Sequence, residues 1–200
     1  SNLNDKELVS QLAEKTGIWS SESKRYHPVE VDDGPVLENV QEGDGINVLA
    51  FPTPLWHEQD GGRYIGTGCG VITRDPKTGF VNIGTYRVMV KSKDEVNVWI
   101  VRGHQGRIHM EDHFAAGKPC PVVISCGHDP LLFMLAATEI PAEISELNYM
   151  GAIKGESIKV VKGRYTGLPI PIGSEIAIEG FTYPNLMSME GPFGEWTGYY

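Results

Sequence analysis

Short apolar stretches broken by glycine and proline run through most of the chain, and their spacing predicts strands more often than helices. From position 46 onward the pattern is strand-like. Residues 46–51 form a brief apolar run. Residues 69–73 lead into Arg74-Asp75-Pro76-Lys77-Thr78-Gly79, a strong turn signal, and 81–90 run back as the second arm of a hairpin. In 95–101, Val96, Val98 and Ile100 share one face, while Asn97, Trp99 and Val101 share the other. Residues 121–125, 157–161 and 175–181 are further strands.

Helices are fewer. Residues 4–15 read as one, with Asn4 as its cap, Glu7 three residues on, Leu8 and Leu12 as the apolar stripe and Gly17 as the stop. Residues 107–116 are helical and end at Gly117. Asp129 caps a helix over 131–137 with Pro130 at its first position, and 145–153 is a shorter one. The stretch 20–45 is polar and turn-rich, and reads as a connector or an arm towards another part of a larger protein. About seven strands with three helices between them predict an α+β fold around a β-barrel or packed sheet.

Composition supports that picture. The 200 residues include 24 Gly and 13 Pro, which suits a turn-rich fold, and the 40% hydrophobic content allows a sizeable core. A net charge of −9 argues against a broad basic surface for nucleic acid or anionic membrane. No run reaches the roughly 18 apolar residues of a membrane span, and the start lacks a secretory pattern. Cys69, Cys120 and Cys126 match no zinc spacing and read as buried thiols of a reducing, cytoplasmic compartment.

Four stretches could carry chemistry. Glu190 and Glu195 flank Gly-Pro-Phe-Gly, where proline and glycine oppose a helix; a bent loop there could aim both acids into one cavity as a proton donor and its partner. Spacing alone favours two solvated loop glutamates. Asn82 and Arg87 lie an odd number apart on an extended strand and face opposite sides, unless Gly84 marks a bulge that also permits close approach of a ligand. Arg87, between Tyr86 and Val88, needs a carboxylate partner unless it reaches water. His109 and His113 fall at helical i, i+4 spacing, a workable zinc pair, but Glu111 and Asp112 between them favour a solvated face. The glycine-rich stretch 56–68 could cradle a phosphate, although it lacks the dinucleotide and P-loop spacings.

Taken together, these stretches resemble the UbiD family of decarboxylases. The resemblance rests on Phe51-Pro52-Thr53-Pro54 through Trp56-His57, on Asp60-Gly61-Gly62-Arg63-Tyr64-Ile65-Gly66-Thr67-Gly68, on Asn82 through Arg87, on Ser145-Glu146 followed by Gly151 and Gly155-Glu156, and on Glu190 through Tyr200. It covers most of the chain from about Gly34. It implies an FMN-binding split β-barrel with a few inserted helices, flanked in the family by further domains on both sides. Residues 1–45 would then be an N-terminal helix and connector, and 46–200 the cofactor domain of a longer enzyme. Alone, such a fragment would be inactive and bind cofactor poorly.

The resemblance also implies roles. Asn82 and Glu146 match ligands of a divalent metal, usually Mn2+, that ties down the phosphate of prenylated FMN, with K+ nearby. Ile83, Gly84, Thr85, Tyr86 and Arg87 match the cofactor loop. His104 and Gln105 stand where some relatives carry a further metal-binding His, so the third ligand is left open among His104, Gln105 and water. Arg87 would hold the substrate carboxylate, Glu190 would orient Arg87, and Glu195 would deliver the proton after CO2 leaves. The implied reaction is reversible, non-oxidative decarboxylation of an aromatic or α,β-unsaturated acid, by a homo-oligomer or a subunit of a carboxylase complex. A non-catalytic flavin-binding subunit and an FMN-linked oxidoreductase are the alternatives.

Overall fold

The computed structural model describes residues 5–141 and 143–200. The chain runs α1 (Asp5–Glu22), β1 (Val29–Glu30), β2 (Arg63–Gly66), β3 (Gly70–Arg74), β4 (Val81–Thr85), β5 (Arg87–Val90), β6 (Val96–Trp99), α2 (Gln105–Ala115), β7 (Cys120–Cys126), α3 (Pro130–Ala136), α4 (Glu146–Lys154), β8 (Lys159–Lys162), β9 (Pro169–Pro171) and β10 (Ile176–Thr182). This is an α+β fold. Its strands form a central antiparallel sheet in the order β10-β7-β3-β4, a sheet β2-β5-β6, and a small sheet β1-β8-β9. Among the described residues these remain three separate sheets with no closed barrel.

The central sheet is apolar on both faces, which explains its near-continuous hydrophobic strands. Ile72, Ile83 and Val123 point to one side and pack with Leu132 of α3, Leu147 of α4 and Val160 of β8. Val71, Val122 and Ile124 point to the other and pack with Val88 of β5, with Ile100 just after β6 and with Met110 of α2. Each such aliphatic side chain contributes roughly 1.5–3 kcal/mol when fully buried. The second cluster joins the central sheet to β5 and β6, and so sets where Arg87 stands.

Several elements follow the sequence pattern. The hairpin β3–β4 pairs Val71 with Gly84 and Thr73 with Asn82. Asp129 accepts the Leu131 N–H at 2.8 Å, as a helix cap should. Gly117 closes α2 in a left-handed conformation, φ 70°.

Others differ. Residues 46–51 are not a strand; they hold a 3-10 turn over Val48–Ala50, capped by Asn47. Gly17 does not end the first helix, which continues to Glu22. A mid-helix glycine costs about 1 kcal/mol. Here Trp19 packs edge-on to Tyr149, with ring centroids 6.4 Å apart, and the Tyr149 hydroxyl donates to Thr16 O at 3.4 Å, so tertiary contacts hold the last turns in place. The Asn4 cap and the Leu8 side chain lie outside the described residues, and Leu12 is exposed. Within the polar connector, β1 pairs in parallel with β8.

His109 and His113 are also not a solvated pair. His109 is buried and hydrogen-bonded through Nδ1 to Thr73 Oγ1 at 2.9 Å, and His113 Nε2 meets Arg74 O at 3.1 Å. Burial lowers the His109 pKa. Both rings pin α2 to β3, a role that helical spacing cannot distinguish from a metal pair.

Candidate active site

The segment 81–90 is one apolar run in sequence but two strands in space. β4 ends at Thr85 in the central sheet and β5 begins at Arg87 in the neighbouring one. The chain thus crosses from one sheet to the other at Tyr86, and Gly84 marks no bulge, since β3 and β4 stay in register throughout. Gly84 makes room for Tyr86 itself: a Cβ there would lie 2.4 Å from the tyrosine hydroxyl.

Arg87 opens β5 and reaches across to the far end of the chain. Its Nε and Nη2 donate to the two carboxylate oxygens of Glu190, at 3.2 and 3.0 Å, in a bidentate pair. Its Nη1 donates to Glu195 Oε1 at 3.0 Å. The two acids are not equivalent. The Glu190 side chain is 4% exposed, whereas that of Glu195 is 51% exposed. The Arg87 guanidinium also lies 4.9 Å from the centre of the Phe193 ring, within cation–π range.

What bends 190–195 into this position is the stretch 57–64. The Tyr64 hydroxyl donates to Glu190 Oε1 at 2.9 Å. Burial, then the neighbouring Glu190 carboxylate, push the Tyr64 pKa up. The Gly61 N–H donates to Pro192 O at 2.7 Å. No larger residue fits at 61, because a Cβ would lie 2.0 Å from Gly191 O. Gly191 itself adopts φ 87°, a region that favours glycine. Asp60 is buried; burial raises its pKa, but amide hydrogen bonds from Gly194 (2.8 Å) and His57 (2.9 Å) outweigh this and lower it. The glycine-rich stretch therefore seats the acidic loop. It is not arranged as a phosphate cradle in these contacts. Sequence reasoning missed Asp60, Gly61, Tyr64 and Phe193 as parts of the site; the motif was visible, but its partner lies some 130 residues away.

A second polar cluster lies along the free edge of β4. Glu146, at the first turn of α4, accepts the Ile83 N–H through Oε2 at 2.7 Å. It is buried, and desolvation pushes its pKa up to about 7. Asn82 is buried too, and its amide nitrogen has no hydrogen-bond partner; Thr85 Oγ1 and Ser145 Oγ are likewise buried and unpaired. His104 stands at the cap position of α2, with its ring edge-on to Tyr86 at 5.9 Å. Gln105 is exposed and, with His109, Ser145 and Asn148, lines a cleft of about 830 Å³. Among the described residues no three His, Cys, Asp or Glu side chains form a cation-binding group.

The Glu146 carboxylate and the unpaired hydroxyl oxygens of Thr85 and Ser145 are hard oxygen donors, whereas the orphaned Asn82 Nδ2 is an N–H donor that wants an acceptor, and only the amide oxygen of that side chain could join them. The chemistry of that set, hard oxygen ligands, suits Mn2+ or Mg2+ over softer metals.

Residues 27–200 match the model of the UbiD 3-octaprenyl-4-hydroxybenzoate carboxy-lyase Rift-related domain. The chain belongs to the UbiD family. A phenolic acid decarboxylase of Sedimentibacter hydroxybenzoicus is 36% identical over 198 residues, covering 95% of this UbiD chain and 41% of the relative. The solved vanillic acid decarboxylase of that organism, in its closed form, superposes with TM-score 0.84 at 33% identity, over 98% of this chain and 42% of the other. An evolved dimeric form of the UbiD-class enzyme HmfF from Pelotomaculum thermopropionicum, solved with prenylated FMN, gives TM-score 0.81 at 27% identity, over 93% and 44%. The UbiD chain described here thus spans about two fifths of the length of these relatives.

Proposed function

We propose that this chain is the cofactor domain of a longer enzyme that removes CO2 from an aromatic or α,β-unsaturated acid, reversibly and without oxidation. In this reading residues 1–45 lead into a domain over 46–200. The central sheet and the β2-β5-β6 sheet, joined through one apolar cluster, are the halves of the split barrel. The observation that carries the reading is the sharing of one guanidinium by two acids of unequal exposure.

Of the five N–H groups of a guanidinium, three on Arg87 are taken by Glu190 and Glu195. The others remain for a substrate carboxylate. Buried Glu190 holds both Nε and Nη2, so it fixes the plane of the guanidinium. Glu195 touches Arg87 through one oxygen only and is half-exposed. It can therefore take a proton from solvent and hand it to the substrate carbon once CO2 has left. Phe193, packed on Tyr64 with ring centroids 4.7 Å apart, walls one side of this site.

Prenylated FMN, when bound, supplies the electron sink that stabilises charge as the C–C bond breaks. Asn82 and Glu146 would hold a divalent metal at its phosphate, with potassium nearby and the remaining ligand coming from Gln105, His104 or water. Residues 83–87 would line the flavin. Assembly as a homo-oligomer or a carboxylase subunit belongs to the same reading.

The test is Glu195→Gln in the full-length protein, loaded with prenylated FMN and Mn2+ and supplied with a panel of aromatic acids. Turnover and solvent-proton exchange at the substrate carbon should both fall by about 10²–10⁴-fold, the usual contribution of a positioned acid. Near-normal turnover in that variant would remove Glu195 from the reaction.

A further inference from the structure

Two of the three cysteines face one another across adjacent strands. In the antiparallel pair β3–β7, Gly70 lies opposite Ser125 and Val71 opposite Ile124. One further step places Cys69 opposite Cys126. The backbone hydrogen bonds reveal what kind of pair this is. The Ile83 N–H leaves the free edge of β4 for Glu146. Ile72, directly opposite Ile83, therefore does not bond to β4, and Val71 and Thr73 do. Gly70 and Ile72 must then bond to β7, which leaves Cys69 and Cys126 as a non-hydrogen-bonded pair. The Cys126 carbonyl agrees, since it accepts from the Glu175 N–H at 3.0 Å on the β10 side.

Residues in such pairs have Cα atoms about 4.5 Å apart, within the roughly 4.4–6.8 Å that a disulfide spans. Both side chains leave the same face and enter the same apolar cluster, beside Val71 and Ile124. Both are free thiols. We propose that Cys69 and Cys126 are a redox-modification site, a cross-strand dithiol that a peroxide converts into a reversible disulfide.

The two thiols differ in the way this chemistry needs. Cys69 is buried, while Cys126 is partly exposed. Contact between the two thiols lowers the pKa of Cys126 and, with burial, raises that of Cys69. Cys126, the more exposed of the two, is the sulfur that a peroxide reaches and therefore the one that attacks. Its sulfur bonds to one peroxide oxygen as the O–O bond breaks, giving a sulfenic acid and, with the thiol proton, water. The Cys69 sulfur then attacks the Cys126 sulfur and expels the oxygen, which leaves with the Cys69 proton as a second water. Two thiols and one peroxide become one disulfide and two waters.

The link would be felt at the neighbouring sheet. The Cys69 thiol donates to Tyr86 O at 3.3 Å and the Cys126 thiol to Ile65 O at 3.8 Å. Those carbonyls belong to the segments that carry Arg87 and Tyr64. Oxidation removes both donors. Cys120, at the other end of β7 and fully buried, is an internal control.

The experiment treats the intact, folded protein with hydrogen peroxide, blocks the remaining thiols by alkylation, and maps peptides without reduction. A peptide linking Cys69 to Cys126 should form, disappear with dithiothreitol, and leave Cys120 unoxidised. Amide exchange in Arg63–Gly66 and Arg87–Val90 should accelerate by about fivefold, the worth of one lost hydrogen bond. Oxidation of either cysteine singly with no linked peptide, or both thiols still alkylating after treatment, overturns the proposal. None of these readouts depends on flavin or on turnover.

Discussion

The Arg87 cluster and the Asn82–Glu146 cluster are both built from charged or amide groups, yet only the first pairs its charges within the protein. At Arg87 a buried carboxylate meets a guanidinium through two bonds and a tyrosine hydroxyl through a third. At Glu146 a buried carboxylate is held, among the described residues, by backbone N–H groups alone, with no cation facing it, in the same cluster as an amide nitrogen with no partner. A charge that is paired and hydrogen-bonded is stable in a low-dielectric setting; one that is not shifts its proton equilibrium instead. The first cluster is thus paired within the protein, and the second leaves buried polar atoms without partners; under the proposed function a divalent cation would neutralise it.

That contrast predicts opposite signs for removing the two acids. Glu190→Ala leaves the half-buried Arg87 with Glu195 as its remaining acidic partner, and should lower unfolding free energy by about 3 kcal/mol in a urea titration. Glu146→Gln keeps an acceptor for the Ile83 N–H and removes an unneutralised carboxylate, so without divalent metal it should be as stable as the parent or more so. A loss comparable to that of Glu190→Ala would erase the distinction between the sites.

Metal sharpens the same contrast. At a hundredfold excess over its dissociation constant, Mn2+ should stabilise the parent by about 2.7 kcal/mol, and Glu146→Gln should abolish the gain. The readout is the thermal midpoint with and without the ion. Tyr64→Phe should then weaken the first cluster only, by about 1.5–3 kcal/mol, because it removes a hydrogen bond to an ionised acceptor. Its response to Mn2+ should match the parent's.

The smallest expected effect lies outside both clusters. His109 has a lowered pKa in the folded protein because it is buried. Below its ordinary value of 6.5 the unfolded chain therefore binds the proton more readily, and stability falls as the pH drops towards the folded pKa. His109→Gln should flatten that slope without altering the stability difference between Glu190→Ala and Glu146→Gln.

The strand and turn pattern was readable because hydrophobic alternation and turn chemistry act over a few residues. The hairpin around 74–79, the Asp129 cap and the helix ending at Gly117 needed no partner from elsewhere. The motifs were readable for a related reason: Asn82, Arg87, Glu146, Glu190 and Glu195 stand in short stretches of unusual composition. Their roles in turnover rest on the family reading and on the tests above.

What sequence could not decide were matters of long-range contact. Whether 81–90 is one strand or two depends on which sheet accepts each half. Whether Gly17 ends a helix depends on Trp19 and Tyr149 meeting. Whether His109 is solvated depends on α2 lying against β3. Above all, local pattern favoured two solvated glutamates at 190 and 195, while the fold buries one and leaves the other half-open. Local preferences are worth a few tenths to about 1 kcal/mol per residue. The burial and ion pairing that overrule them are worth several times more, and exist only once distant segments have come together.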